Sequence, residues 1–321
     1  MGIFEFIGIV VFLYYLINII LWVVLDSDIE LWLKERWGKP IDTLRGKVVW
    51  LTGASSGIGK QLAIELAKHH VRLCISARSG DRLQAVKEEC LKQSKLLRPN
   101  DILVLKMDML DISQHQRYFD TVVNHFGGLD ILVNNAGRSQ RASFEEIDLS
   151  VDRELFELDV FSIVNLTRIY VRHCKSRGHV AVTSSSVGLI SVPNSASYTA
   201  AKHAIHGYFE TLKLDHPTMD VTLFCPGPTH TEFLQHAFTG IHGQNYNQSV
   251  QATDRRMTAE RCAVLMAIAL ANRCQINFVG PFPVPGLMYI SCYYPNLRKI
   301  ILMILGKSGL QKIRDTTAPA N

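Results

Sequence analysis

Hydrophobic positions along this chain fall into three regimes. From Phe6 to Leu25 a 20-residue run is interrupted only by Gly8 and Asn18, long enough to cross a bilayer as one helix. From Gly46 onward, short apolar runs alternate with longer stretches of helical periodicity. The runs at 47–52 (KVVWLT), 71–77, 101–107, 129–133, 179–183, 221–225 and 276–279 read as strands. Between them a helical pattern covers 57–68, a charged stretch to about Leu97, a stretch ending at Phe126, and a long segment from about Val151 to Ser176. Two more cover the segment around Tyr198 and the one from about Thr258 to Ala271. Seven strands alternating with helices predict an α/β fold: a doubly wound, seven-stranded parallel sheet with helices on both faces. No second alternation and no repeat follows, so one domain is expected over 46–280.

The third regime is what this alternation leaves over. Residues 1–25 are expected as a transmembrane anchor helix, 26–45 as a juxtamembrane linker or interfacial helix, and 281–321 as an apolar and basic tail. Residues 228–253 form a long connection with little periodicity but with apolar Phe233, Leu234, Phe238 and Ile241, as binding loops and lids have. The apolar N-terminal run lacks the small-x-small cleavage site of a signal peptide, which favours an uncleaved anchor. Its orientation is pulled both ways. Lys34, Arg36 and Lys39 follow it and no base precedes it, which places the domain in the cytosol. The sequons at Asn165 and Asn247 point to the lumen instead.

Composition removes several function classes. The net charge of +5 is carried largely by the tail, through Arg298, Lys299, Lys307, Lys312 and Arg314, so the body offers no nucleic-acid face. Seven cysteines form no C-x-x-C pair and no zinc-ligand spacing, so neither a disulfide framework nor a metal site is expected. In the tail, Leu287–Tyr294 and Ile300–Leu305 with flanking bases read either as a bilayer-surface segment that admits lipophilic molecules, or as helices packed on the sheet or on a second copy of the chain, a homodimer.

The candidate chemistry sits at strand ends. Thr52-Gly-Ala-Ser-Ser-Gly-Ile-Gly joins the first strand to the first helix. Gly53, Gly57 and Gly59 let the backbone turn and approach a pyrophosphate at the helix N-terminus, with Ser55, Ser56 and Ile58 in the same loop. At the end of the second strand stand Ser76, Ala77, Arg78 and Ser79, with no acid to repel a 2′-phosphate. Arg78 offers a planar cation for that phosphate and Ser55 a hydroxyl, which favours NADP(H) over NAD(H). Tyr198 and Lys202 are four apart on a predicted helix, so they share a face, and an ammonium beside a phenol lowers its pKa. Ser185, thirteen residues earlier, can hydrogen-bond the same substrate oxygen.

T-G-x3-G-x-G, N-N-A-G at 134–137, the Ser185/Tyr198/Lys202 set and Pro226-Gly227 together resemble the short-chain dehydrogenase/reductase family over residues 46–280, in its membrane-anchored branch. That resemblance implies a Rossmann fold and a single-pass protein of the endoplasmic reticulum membrane. It also implies hydride transfer between NADP(H) and a carbonyl or alcohol of a lipophilic substrate such as a steroid, retinoid or lipid aldehyde or ketone. By the same resemblance Tyr198 is the acid/base, Lys202 its activator and ribose ligand, and Ser185 the group that orients the substrate oxygen. Asn134 and Gly137 would lie along the cofactor, Asp108 at the adenine, and Thr231 at the nicotinamide carboxamide or phosphate.

Two positions depart from the family pattern. Ser56 stands where many NADP-dependent relatives carry a base in the glycine loop, which leaves Arg78 to attract the phosphate. Asp159 stands where the family's fourth catalytic residue is an asparagine. A carboxylate accepts hydrogen bonds but does not donate them, and near Lys202 it would offset the pull of the ammonium on Tyr198. Two readings follow: a relay in which Asp159 serves, or a cofactor-binding membrane protein of weak or no turnover that acts as sensor or scaffold.

Overall fold

The computed structural model describes residues 2–174 and 177–315. The expected helix end at Ser176 and the tail beyond residue 315 lie outside that range. Seven parallel strands form one sheet: β1 (Val48–Thr52), β2 (Arg72–Ala77), β3 (Ile102–Lys106), β4 (Ile131–Asn134), β5 (His179–Thr183), β6 (Asp220–Pro226) and β7 (Ile276–Val279). Their order across the sheet is β3-β2-β1-β4-β5-β6-β7, so the chain starts in the middle and winds outward both ways. β1 and β4 are neighbours and carry no intervening strand, which opens a crevice at their C-terminal ends. All five residues of β1 and all four of β4 are buried, as strands covered on both faces must be.

Helices α3 (Gly57–Lys68), α4 (Gly80–Gln93) and α9 (Ala259–Asn272) cover one face. Helices α5 (His115–Phe126), α6 (Leu149–Phe156), α7 (Ser162–Cys174) and α8 (Ala196–Asp215) cover the other. The first core centres on Leu51, Leu62, Leu73 and Met266; the second centres on Trp50, Phe119, Tyr170 and Phe209. The single long helix expected from Val151 is interrupted. Between α6 and α7 the chain widens to a π-helical turn, Glu157–Phe161, and this turn carries Asp159. Such turns insert one residue into a helix and re-aim the side chains on it.

The stretch 26–45, expected as a linker, is instead tied into the body. Asp28 N–H donates to Phe278 O at 2.7 Å, Phe278 N–H returns a bond to Asp28 Oδ2 at 2.8 Å, and Ser27 pairs antiparallel with Val279. These residues cover the free edge of β7, where unpaired backbone groups would otherwise face solvent. Asp28 also caps α2 (Ile29–Trp37), accepting from Leu31 N at 2.8 Å. Arg261 on α9 then holds two acids of this stretch, with bonds of 2.8 and 3.1 Å to Asp26 and of 3.0 Å to Glu35. Periodicity could not show this, because the contacts join polar groups more than 200 positions apart in the chain.

Helix α1 (Ile3–Val24) has no buried residue and a mean hydropathy of 2.6, the one described helix long and apolar enough to cross a membrane. Its foot is fixed: Trp22 stacks on Tyr289 with ring centroids 5.7 Å apart. Tyr289 belongs to α10 (Val284–Tyr293), whose Val284 and Met288 pack on Cys225 and Phe278. The tail therefore divides. Helix α10 packs on the sheet, whereas α11 (Pro295–Asp315), kinked at Gly306, exposes Leu297, Ile300, Met303 and Ile304 and ends with Arg314 against the loop before α8.

Candidate active site

One cavity of about 450 Å³ opens at the C-terminal ends of the strands. Its walls contain Gly53, Ser55, Ser56, Gly57, Ile58, Gly59, Arg78, Asp108, Gly137, Ser185, Tyr198 and Thr231, so twelve of the residues singled out in the sequence meet there. Three do not reach its surface: Asn134, Asp159 and Lys202 are buried behind it.

The β1–α3 turn is shaped by close approach. Gly53 has φ of +66°, and a Cβ there would lie 2.8 Å from Ala136 Cα. A Cβ on Gly59 would lie 2.3 Å from Gly53 O. The turn is thereby pressed against the strand β4 end, and Thr52 Oγ1 accepts from the backbone N–H groups of Asn135 and Ala136 at 3.0 and 3.1 Å. Asn135 Nδ2 donates back to Thr52 O and Gly53 O, both at 3.2 Å. Asn134 was expected along the cofactor, but it ends β4 with its side chain inward, donating to Thr167 Oγ1 at 3.0 Å. Asn135 is the asparagine that lines the cavity, because side chains alternate along a strand.

This end of the cavity fits a dinucleotide phosphate. The glycine turn forms part of the cavity wall, and Arg78 beside it is exposed with no ion pair among the described residues. Across the opening, Arg82 at the start of α4 bonds Glu232 at 2.6 Å, joining the two rims. Thr231 caps the short turn Glu232–Leu234, and its methyl group lies beside the α3 N-terminus.

The other end is built on α8. Tyr198 is almost fully buried, and the nearby Ser185 hydroxyl favours its ionised form. Lys202 lies behind it, with Nζ 5.5 Å from the tyrosine ring centroid. Nζ donates to Thr183 O at 3.3 Å and pairs with Asp159 Oδ2 at 3.0 Å. Asp159 Oδ1 accepts from Arg138 N–H at 2.8 Å, so the carboxylate joins the lysine to the turn that follows β4.

The electrostatics differ from the expected ones. Burial raises the Tyr198 pKa above its ordinary value. Lys202 opposes this, Asp159 reinforces it, and Ser185 and Arg141 help lower it again. The phenol lowered by its lysine, expected from spacing alone, is therefore outweighed by desolvation in this structure. Burial alone would lower the Lys202 pKa, but the Asp159 carboxylate and the Tyr198 phenol turn the balance upward. Burial likewise raises Asp159, with Lys202 and the Arg138 N–H drawing it back. Lys202 and Asp159 thus form a buried ion pair beneath the phenol.

The 228–253 connection closes over the site as a strap. Arg138 grips it, donating to His236 O at 2.8 Å and Asn245 Oδ1 at 2.5 Å while lying 3.7 Å over the Phe238 ring. Of its apolar residues, Phe233 and Leu234 face the cavity, Phe238 is buried as the anchor, and Ile241 is exposed. Sequence reasoning missed Arg138, Arg141, Asn135 and Arg314. Asn135 had a signal, as the second asparagine of N-N-A-G; the arginines had none.

Asn165 of the first sequon lies within α7 and bonds His115 Nδ1 at 3.2 Å. Asn247 of the second is exposed on the strap.

The short chain dehydrogenase profile matches residues 47–241. Dehydrogenase/reductase SDR family member 7 of Homo sapiens is 36% identical over 299 residues, covering 90% of this chain and 86% of that protein. The Mus musculus counterpart is 35% identical, covering 92% and 88%. An 11-beta-hydroxysteroid dehydrogenase A of Sesamum indicum is 36% identical over 67% of this chain and 60% of its own length. Among solved structures, an alcohol dehydrogenase from Thermococcus sibiricus, complexed with 5-hydroxy-NADP, superposes with a TM-score of 0.64 at 21% identity. It covers 74% of this chain and 97% of that one, which establishes the shared fold. The chain belongs to the short-chain dehydrogenase/reductase family.

Proposed function

We propose that this oxidoreductase is anchored in the endoplasmic reticulum membrane by α1 and uses NADP(H) to interconvert a carbonyl and an alcohol on a lipophilic substrate. The observation that carries the reading is the convergence of Ser185 and Tyr198 on one cavity with the glycine turn and Arg78. When bound, the nicotinamide supplies or accepts the hydride. Gly53, Gly57 and Gly59 make room for the cofactor's backbone-bound phosphates, Arg78 receives the 2′-phosphate, and Asp108 and Thr231 border its two ends. In the reducing direction Tyr198 gives its Oη proton to the carbonyl oxygen that Ser185 orients; in the oxidising direction it takes that proton back. Lys202 stabilises the phenolate this leaves, and Asp159 holds Lys202 in place.

Phe233 and Leu234 on the strap, and the membrane helix fixed to the same body, favour an apolar substrate. The test is NADPH oxidation by the full chain in detergent over a panel of steroid, retinoid and fatty carbonyls, with NADH alongside. Turnover with at least one of them, and a preference for NADPH, is expected. Normal NADPH binding with no turnover on any would overturn the reading.

A second reading is favoured by the Lys202–Asp159 pair, which engages the ammonium that should act on Tyr198. In that reading the chain binds cofactor but turns over weakly. Asp159→Asn separates the two: a large gain in turnover favours weak catalysis in the native chain, and a loss shows that the carboxylate belongs in the relay.

A further inference from the structure

Helices α10 and α11 leave the body and return to it. Helix α10 begins on the sheet, where Val284 and Met288 are buried with Cys225 and Phe278, and then runs along α1. A Cβ on Gly286 would lie 3.5 Å from Trp22 Cβ, so the two helices approach closely there. Trp22 stacks on Tyr289, Tyr289 stacks on Tyr293 with centroids 5.9 Å apart, and the Tyr294 side chain meets that of Tyr15. Contacts thus climb α1 from Trp22 to Tyr15 while they pass along α10 from Gly286 to its C-terminal end. That climb is about 10 Å of helix rise. The junction of α10 and α11 therefore stands beside the apolar run of α1, well beyond its foot.

Helix α11 continues from this junction with Leu297, Ile300, Met303 and Ile304 exposed, at helical spacings that place them on one face. At Gly306, with φ of +59°, the helix kinks. Beyond the kink Ile313 packs on the α10 core, and Arg314 donates to Pro193 O and, at 3.1 Å, to Ser195 Oγ at the cavity wall. No acid occurs between Glu260 and Asp315, whereas Arg298, Lys299, Lys307 and Lys312 stand along α11.

These features select what covers the apolar face. In a symmetric contact with a second copy the same strip would meet itself, base against base. A lipid leaflet accepts it without that conflict. An amphipathic helix lies about 5–10 Å into the boundary of headgroups and acyl chains, the depth to which α10 climbs along α1. Long basic side chains reach from there to the headgroups, and tryptophan and tyrosine are favoured at the same level.

We propose that α10 and the first half of α11 form a membrane-docking element. Leu297, Ile300, Met303 and Ile304 lie among acyl chains of the leaflet nearest the body, and Arg298, Lys299 and Lys307 meet anionic headgroups. This rests on the reading of α1 as a membrane anchor and adds a second contact to that tether. Because α11 ends on the cavity wall, docking holds the Arg314 side of the cavity beside the leaflet, where an apolar substrate is dissolved.

The test uses the full chain in nanodiscs of phosphatidylcholine and phosphatidylserine. Single nitroxide labels are placed by Met303→Cys, by Val10→Cys on α1 and by Leu96→Cys, an exposed position before β3 at the opposite edge of the sheet. All three carry Cys292→Ser, which removes the exposed thiol. Power-saturation EPR compares collisions with oxygen, which concentrates among acyl chains, and with a water-soluble nickel chelate; unchanged NADPH affinity verifies each fold. The labels at 303 and 10 are expected to favour oxygen, and the label at 96 nickel. If the label at 303 meets nickel as readily as the one at 96 while the label at 10 favours oxygen, the anchor stands and the docking element is overturned. Protection at 303 from both reagents, with dipolar broadening, would place a second copy on this face and overturn it as well. If the label at 10 favours nickel, the anchor reading fails, and the label at 303 still decides the α11 face. Ile300→Glu combined with Ile304→Glu is expected to shift the label at 303 toward nickel. The same pair should lower kcat/KM for a long-chain ketone by about tenfold through KM, and leave a short, water-soluble ketone unchanged. Equal losses on both ketones would overturn substrate delivery from the leaflet. If neither ketone is reduced, the oxidoreductase reading fails for these compounds, and the labels still decide the docking element.

Discussion

The two ends of the cavity are made of different materials. The cofactor end is chiefly backbone: glycines 53 and 59 leave no room for a side chain, and Thr52 and Asn135 lock the β1 and β4 ends together through bonds of 3.0 to 3.2 Å. The substrate end is chiefly side chain, drawn from the β4 loop, the strap, α8 and the C-terminal helix. The first end is shaped by backbone packed within one turn. The second presents side chains whose positions depend on segments far apart in sequence. The glycine-turn end is therefore held by local backbone packing, whereas the α8 end depends on how distant segments dock.

The sharpest way to separate the ends is Tyr198→Phe. Loss of the proton-transferring group is expected to cut kcat by about a thousandfold, within the usual range for general acid–base catalysis, while NADPH affinity measured by fluorescence stays near native. A comparable loss of cofactor binding would mean that the two ends are not independent.

Gly59→Ala attacks the other end. A methyl group placed 2.3 Å from Gly53 O and 2.5 Å from Asn135 Nδ2 must push the turn away from β4. Overpacking of this kind costs about 1–3 kcal/mol, and NADPH affinity is expected to fall by more than tenfold together with thermal stability. Arg78→Ala is milder. It should weaken NADPH by about tenfold, the worth of one charge-assisted contact, and leave NADH unchanged in the same titration. Equal effects on both cofactors would remove Arg78 from phosphate recognition.

The smallest expected effect concerns the ion pair that joins the ends. Asp159 holds the Tyr198 pKa up, so Asp159→Asn lowers it. In reduction Tyr198 must be protonated, and activity is lost as pH rises through its pKa; the alkaline limb of the kcat profile therefore moves to lower pH. A limb that stays in place would show that the Asp159 charge does not reach the phenol.

Much of this architecture follows from local pattern. Short apolar runs define the seven strands, which are covered on both faces, and period-3.6 patterns define the helices, which bury one side. The glycine turn and the Tyr198/Lys202 spacing are legible for a similar reason: both lie within one turn or one helix, where sequence distance equals spatial distance. Only tertiary structure decided the rest. Residues 26–45 look like a linker by composition, yet Asp26, Asp28 and Glu35 are held by β7 and by Arg261. Asn134 and Asn135 are adjacent letters, and the pleat sends one inward and the other to the cavity. Tyr198 and Lys202 fix their own separation, but the depth at which they are buried, and the arrival of Asp159 on a π-helical turn, determine the direction of their pKa values. Arg141 and Arg314 stand 173 positions apart, and no periodicity links them; packing of the tail on the body brings both to Ser195. Hydrophobic pattern specifies which face of an element is buried, whereas the meeting of polar groups depends on how whole elements dock.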